Sequence, residues 1–524
     1  MKKLTKEEVK KILEAPNGVE KLIKDADSAF EAAWQLMGEG NAAAVGFLCR
    51  AAAKKRISDE IERLLSKNDT VILMAMGSED AKMRKNTARL IGALKNDGFT
   101  PMLIGALEYE EVRFVRPSLL LALGACGDDE AKEYLDSYVV ALPKDESEKK
   151  HYEEECDALF KARASLMKIE KHEFLSLDDE YEMELRCPDK LSSALQDELE
   201  EKGFRVANKF SNAVRVKTRD YKSLYEARCF FEVLFPIANG ISADERVLAK
   251  HIRAFLEKML MATHKGTNVF AYRIEIKGEN VDRGEKAKKL AKLLDTTTDS
   301  GNKDSRTLHL VNSPSNYEIE IRIELHGNGA ADAYLKLYTF EDTRFDYRVG
   351  ALPASMNGAT AAAVLRMAKE YLSENARVLD PCCGSGTLLI EREKLKAVAG
   401  TTGVDIAHKA IDIARENAGA AKAKAKFVVN DCLRFEAKRK YDELVSNLPF
   451  GNRVGTHKDN EALYKGILDR LSSWVKKDGI AILYTMEFTL LKKLIKERQN
   501  LELLVEARTD AGGLTPMIFV LRVK

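Results

Sequence analysis

Val378-Leu379-Asp380-Pro381-Cys382-Cys383-Gly384-Ser385-Gly386-Thr387 orders the rest of the chain. The stretch lies between a strand at 377–380 and a helix that begins near Thr387, so its two glycines occupy a strand-to-helix turn. Gly384 and Gly386 let backbone approach a ligand closely, and the N-terminus of the helix behind them favours a carboxylate. A dinucleotide fingerprint requires a third glycine three residues after Gly386, where Leu389 stands, and no G-K-[ST] follows. The loop is therefore read as neither a nicotinamide or flavin site nor a phosphate-binding P-loop.

Strand patterns continue outward at 403–405, 426–429, 443–446, 480–484, 501–507 and 517–523, most separated by helical stretches. That alternation predicts a parallel sheet with crossover helices. The last two strands have only a short connection, which predicts an antiparallel hairpin at the sheet edge. Asp405 ends the second strand, 25 residues after Asp380, where a carboxylate can accept from both hydroxyls of a ribose. Asn430 and Asp431 follow the third strand, where a carboxylate can accept from an adenine amine. These acids fall at the carboxyl ends of neighbouring strands, where such sheets bind ligands. A nucleoside-shaped pocket with a carboxylate-binding loop and no phosphate site has the outline of S-adenosylmethionine.

The fourth strand runs into Asn447-Leu448-Pro449-Phe450. An exocyclic base amine is a poor nucleophile, because its lone pair is delocalised into the ring. An enzyme must accept its hydrogens and hold the nitrogen in line with the methyl donor. The Asn447 amide oxygen and the Leu448 carbonyl suit that task, Pro449 shapes the turn, and Phe450 can stack on the base. An asparagine amide is too weak a base to take the proton, so deprotonation follows transfer.

Residues before about 170 show helical spacing only, and MRKNTARLIG at 83–92 aligns with VRPSLLLALG at 115–124, a period of 32 residues. This resembles HEAT-type repeats, in which stacked helix pairs share one extended core. From about residue 180 the period becomes two, with strands at 182–186 and 212–216 around a helix at 191–201. A second α+β unit follows, with strands at 269–277, 308–311 and 317–325, a helix at 285–294 and a polar loop at 296–305.

The quoted motifs, with Phe345-Asp346-Tyr347-Arg348 leading to Leu352-Pro353-Ala354-Ser355-Met356-Asn357, resemble the THUMP-domain-containing guanosine-N2 RNA methyltransferases over roughly 175–524. The run Leu448-Pro449-Phe450-Gly451-Asn452-Arg453, then Gly455, His457, Asn460 and Leu463-Tyr464, looks most like the tRNA-modifying branch. The repeated segment points to a helical HEAT-like region at 1–172, which is not part of that family's usual plan, while the resemblance implies a ferredoxin-like α+β domain at 173–262 and a THUMP-like RNA-binding domain at 263–344. It implies a Rossmann-like class I methyltransferase domain with a seven-stranded sheet at 345–524. The expected cofactor set is Ser355, Asp380, Cys382, Gly384, Gly386, Thr387, Asp405, Asn430, Asp431 and Asn447, and the expected catalytic turn is Asn447, Leu448, Pro449 and Phe450. The implied activity is methyl transfer from S-adenosylmethionine to guanine N2 in tRNA. Guanine N2 in ribosomal RNA, adenine N6 in DNA or ribosomal RNA, and a non-catalytic RNA-binding scaffold stand as alternatives. The helical repeats imply a protein partner.

At 524 residues the chain is too long for one core, and 45% hydrophobic with 32% charged residues is a globular composition. A net charge of +1 announces no polyanion partner for the whole chain, so RNA must meet a local patch. Candidates are Lys422, Lys424, Lys426 and Lys438-Arg439-Lys440, with Arg453 and His457 beyond the catalytic turn. The eight cysteines show no C-x-x-C pair and no metal spacing, which predicts reduced thiols and no metal. Without an apolar run of eighteen residues or a secretory signal, a cytoplasmic protein off the membrane is expected.

Overall fold

The computed structural model describes residues 3–166, 171–279, 281–295, 308–353, 355–450, 457–510 and 513–524. The polar loop expected at 296–305 lies outside them. The chain divides into two compact units, one built mainly of residues Met1–Glu170 and the other mainly of the remainder.

Within the first unit the residues 3–166 are helical, with no strand among them. Helices Ala42–Ala51, Ala81–Leu94, Arg116–Cys126 and Lys149–Leu166 pack successively, each on the next. The glycine that closes each copy of the repeated segment lies two residues before the end of its helix and serves the packing. A Cβ on Gly92 would stand 3.0 Å from Ala122 Cα, and one on Gly124 only 2.5 Å from Ala162 Cα. The repeated arginines meet at one residue. Arg84 grips the Glu110 carboxylate through Nε and Nη2, each at 2.8 Å, while Arg116 donates to the Glu110 carbonyl at 2.9 and 2.8 Å.

In the second unit, strands Val206–Lys209, Ala213–Thr218, Tyr181–Arg186, Glu232–Ser242, Ala330–Leu337, Ile319–Leu325 and Val269–Lys277 lie side by side in that order. One sheet thus runs through both regions expected as separate domains at 173–262 and 263–344. Its continuity rests on Glu232–Ser242, which pairs with Tyr181–Arg186 on one side and Ala330–Leu337 on the other. The sequence pattern does not mark that strand. Pro236 interrupts it, and register shifts against 331–334 break its alternation.

The C-terminal sheet comprises β1 (Ala376–Asp380), β2 (Val398–Asp405), β3 (Lys426–Val429), β4 (Tyr441–Asn447), β5 (Val475–Thr485), β6 (Leu501–Arg508) and β7 (Met517–Val523). Its order is β3-β2-β1-β4-β5-β7-β6, parallel except for β7, which runs antiparallel to both β5 and β6. The expected hairpin is present with β6 at the edge. Helices α1 (Gly358–Met367), α2 (Thr387–Leu395), α3 (His408–Ala421), α4 (His457–Trp474) and α5 (Phe488–Lys496) accompany it. One face buries Leu444, Tyr464, Leu471, Trp474, Leu483 and Phe519 in a common core. The strand order reverses between β1 and β4, which opens a crevice at their carboxyl ends. The two larger sheets of this unit are tied by Arg228, which donates to both oxygens of Glu391 at 2.7 and 2.8 Å, while the Tyr347 hydroxyl donates to the same carboxylate at 2.7 Å.

Candidate active site

The loop after β1 is folded back on the strand ends by its own amides. Gly384 (φ +51°) and Gly386 (φ +77°) occupy the left-handed region that other side chains rarely adopt. The Cys382 N–H donates to Asp380 Oδ1 at 3.0 Å, Cys383 N–H to the Val404 carbonyl at 3.0 Å, and Gly384 N–H to Asp405 Oδ2 at 3.0 Å. Asp380 is 1% exposed, and burial pushes its carboxyl up to about 7, against hydrogen bonds from Ser446 Oγ (2.7 Å) and Cys382 N and with the charge of Asp405 adding to the rise. Among the described residues no cation pairs with it.

Asp405 accepts one backbone N–H on each oxygen, the second from Ala407 at 2.9 Å, so a carboxylate with four acceptor sites keeps two. Asn430 donates its N–H to the Asp405 carbonyl at 3.0 Å, and Asp431 Oδ1 caps the turn Cys432–Arg434 through Leu433 N–H at 2.9 Å. Ser355 accepts from Leu352 N–H and donates to Ser385 Oγ, both at 2.9 Å, and Ser385 Oγ lies 3.2 Å from Thr387 Oγ1. Asn417 on α3 completes this clamp, though sequence reading passed over it. Its amide donates to the Gly350 and Ser385 carbonyls and accepts from Gly350 N–H, each at 3.0 Å, with no exposure. The available signal was a polar residue in register with Ala410, Ile411 and Ala414 on the buried face of that helix.

The Asn447 turn adjoins this loop, because Ser446, the residue before Asn447, is the one that donates to Asp380. Asn447 Oδ1 is buried and has no hydrogen-bond partner among the described residues. Leu448 buries its side chain and donates its N–H to the Tyr484 carbonyl at 2.9 Å. The Pro449 carbonyl accepts from the Tyr464 hydroxyl at 2.7 Å, and that hydroxyl also meets Thr485 Oγ1 at 2.6 Å. The half-buried Phe450 ring stands 5.9 Å from that of Tyr484. Ser446, Tyr464 and Tyr484 are support residues to which sequence reading gave no role. Gly451, Asn452, Arg453 and Gly455 lie outside the described residues, and of His457 only its place at the start of α4 is described.

Burial, with the charges of Asp380 and Asp405, raises the Cys383 thiol well above its ordinary range, and a hydrogen bond to Cys432 followed by burial does the same for Cys382. Both loop thiols are therefore held protonated, unlike nucleophilic cysteines. All eight cysteines are free. Lys422, Lys424, Lys426, Lys438, Arg439 and Lys440 are exposed. Among the described residues no cluster of His, Cys, Asp and Glu is arranged to hold a metal, and no helix is long and apolar enough to cross a membrane.

Residues 346–516 match the family model described as UPF0020, RMKL-like, methyltransferase domain. The tRNA (guanine(6)-N2)-methyltransferase of Methanocaldococcus jannaschii is 25% identical over 218 residues, covering 33% of this chain and 56% of that protein. The ribosomal protein L11 methyltransferase of Thermotoga maritima is 35% identical over 118 residues, covering 21% of this chain and 44% of that protein. The chain thus spans about half the length of these curated relatives. Among solved structures, TrmN from Thermus thermophilus superposes with a TM-score of 0.52 at 20% identity, over 66% of this chain and 99% of that one. SMU.472, described as a putative methyltransferase complexed with SAH, gives 0.52 at 13% identity with the same coverage. The C-terminal domain has the class I methyltransferase fold, whose cofactor is S-adenosylmethionine. The residues present fit that group. A buried carboxylate with no cation among the described residues, a glycine turn at a helix N-terminus, and a strand-end carboxylate with two open acceptor sites match an ammonium, a carboxylate and a ribose in turn.

Proposed function

We propose that this chain is an S-adenosylmethionine-dependent RNA methyltransferase that modifies the exocyclic N2 of a guanosine in tRNA. The observation that carries the reading is the buried, unpartnered Asn447 Oδ1, one residue from the hydroxyl that bridges to Asp380. An acceptor stripped of water and left open is suited to an N–H donor from a substrate.

The cofactor supplies a methyl group on a positively charged sulfur. Asp380 would face its ammonium, and Gly384, Gly386 and Thr387 would hold its carboxylate at the start of α2, with Cys382 lining the loop. Asp405 would accept from its ribose, and Asn430 with Asp431 would border its adenine. Ser355 ties the preceding segment to the loop through Ser385. On the substrate side, Asn447 Oδ1 and the Leu448 carbonyl accept the hydrogens of the amine. They thereby fix its direction and stabilise the positive charge that develops on nitrogen. Pro449, anchored by Tyr464, keeps the turn in shape, and Phe450 stacks on the base.

The central sheet serves as the ferredoxin-like and THUMP-like grip on RNA, and in the C-terminal domain the exposed Lys422, Lys424, Lys426, Lys438, Arg439 and Lys440 contact phosphate. The stacked N-terminal helices act as a HEAT-like surface for a protein partner. The name of the Methanocaldococcus relative and the THUMP-like resemblance support tRNA and guanine N2. The test is transfer of labelled methyl to unfractionated tRNA, followed by nucleoside analysis. N2-methylguanosine is expected, N6-methyladenosine would redirect the reading to adenine, and no methylated nucleoside would end it.

A further inference from the structure

Tyr484 has a hydroxyl for which the fold provides no use. It stands on β5 directly opposite Asn447 in the parallel register, so the two side chains leave the sheet on the same face. The residue is 3% exposed, and its hydroxyl oxygen is buried with no hydrogen-bond partner among the described residues. Its neighbour Thr485 shows the contrast, since on the other face that hydroxyl is engaged by Tyr464. A phenol whose hydroxyl finds no partner in a buried site gives up about 1–3 kcal/mol relative to one that is satisfied. Phenylalanine would fill the same space without that loss.

The Phe450 ring lies 5.9 Å away at 48°, so the Tyr484 ring also borders the surface on which a base is read to stack. Burial, with the charge of Asp510, holds the phenol well above its ordinary range, so it is an O–H donor throughout the working pH range. The carboxyl ends of β4 and β5 therefore carry, on one face of the sheet, two buried polar atoms without a partner among the described residues, an acceptor on Asn447 and a donor on Tyr484, and the Tyr484 ring adjoins that of Phe450. The exocyclic amine of guanine is a donor, and it is flanked in the ring by N3, an acceptor.

Resting on the reading of the site given above, we propose that Tyr484 is a base-binding residue whose hydroxyl donates to N3 of the target guanine while Asn447 accepts from N2. The pair then reads amine and ring nitrogen together, which fixes the rotation of the base about its stacking axis.

The test compares wild type with Tyr484→Phe in four readouts: thermal unfolding, binding of S-adenosylhomocysteine, the modified nucleoside, and kcat/KM on tRNA. Unfolding temperature and S-adenosylhomocysteine affinity should be unchanged, or the former slightly raised. The kcat/KM should fall about 10- to 100-fold, the scale of a buried ring nitrogen left without its donor. A tRNA carrying 3-deazaguanosine at the modified position should lower wild type by a similar factor and Tyr484→Phe no further. Undiminished kcat/KM in Tyr484→Phe, a variant that fails to fold, or losses that multiply would each overturn the assignment. Wild type that forms N6-methyladenosine or no methylated nucleoside would instead remove the guanine-N2 reading, and this inference with it.

Discussion

Cofactor affinity is expected to climb about eightfold between pH 6 and pH 7.5, with Asp380 as the cause. In the free protein burial raises this carboxyl to about 7. A buried ammonium can be received only by the ionised form. The ionised fraction is about 0.09 at pH 6 and about 0.76 at pH 7.5, and apparent affinity scales with the competent fraction. The same shift is a stability statement. The unfolded carboxyl titrates near 3.8, so between that value and about 7 the folded state binds more protons than the unfolded one, and stability falls as pH rises. The contribution is complete below 3.8 and is lost as pH passes through about 7, on the order of 4 kcal/mol in all. Calorimetric titration with S-adenosylhomocysteine at both pH values, in two buffers of different ionisation enthalpy, reads the affinity and the released proton together. Asp380→Asn should bind weakly with no pH slope, and its unfolding free energy should be flatter from pH 4 to pH 7. The reasoning fails if wild-type affinity is constant across that interval, or if Asp380→Asn retains the wild-type slope.

Asn447→Ala should lower methyl transfer about 100-fold or more while leaving the unfolding temperature in place, since the lost oxygen has no partner in the free protein; single-turnover rates and thermal unfolding check both. Asn417→Ala removes three hydrogen bonds, the one to Ser385 fully buried, and should cost about 2–4 kcal/mol in urea unfolding, together with S-adenosylhomocysteine affinity, because the Ser385 carbonyl and Gly350 lose their clamp. Gly124→Ala should lower helical-unit stability by about 1–3 kcal/mol, since its Cβ would meet Ala162 Cα at 2.5 Å; Gly105→Ala, with open space around it, should be neutral or slightly stabilising in the same calorimetric scan. Glu443→Gln should cost about 3–5 kcal/mol in urea unfolding, because it strands Arg392, which has no exposure and bonds both oxygens of that carboxylate at 2.7 and 3.0 Å.

How much of this is legible before folding depends on the range of the forces involved. Strands β3 and β7 stand at 426–429 and 517–523, the residues the alternation pattern marks, because turn residues bound short apolar runs there. Glycine positions in the cofactor loop are legible because a left-handed backbone at Gly384 and Gly386 is a local demand. Glu232–Ser242 is not legible, since both of its partners are set by tertiary pairing and its own pattern is broken by Pro236. Gly92 and Gly124 can be seen as a repeat, yet their purpose, close approach of the next helix, exists only once the helices are stacked. Asn417 binds residues 67 and 32 positions away, and no local pattern distinguishes it from an exposed helix asparagine except its register. The status of Asn447 Oδ1 and the Tyr484 hydroxyl is a property of what is missing around them, which no string of residues states.

The two ends of β4 show where the chain has given up stability. At the amino end the buried Glu443 is fully engaged: Arg392 bonds both oxygens, Ser373 N–H donates to one at 2.8 Å, and Arg392 also donates to the Lys396 and Ser373 carbonyls. At the carboxyl end of the same strand and its neighbours, among the described residues, Asp380 is buried without a cation, and Asn447 Oδ1 and the Tyr484 hydroxyl are buried without partners. Protein interiors rarely leave such groups open, and each is costly. A sequence selected only to fold would place apolar residues at all three positions, as it does at Leu444, Leu448 and Leu483 nearby. Open groups of three kinds, a carboxylate for a cation, an acceptor for an amine and a hydroxyl for a ring nitrogen, converge on the switch point of the sheet. Their complementarity to a charged nucleoside on one side and a flat base on the other is the physical content of the proposed activity.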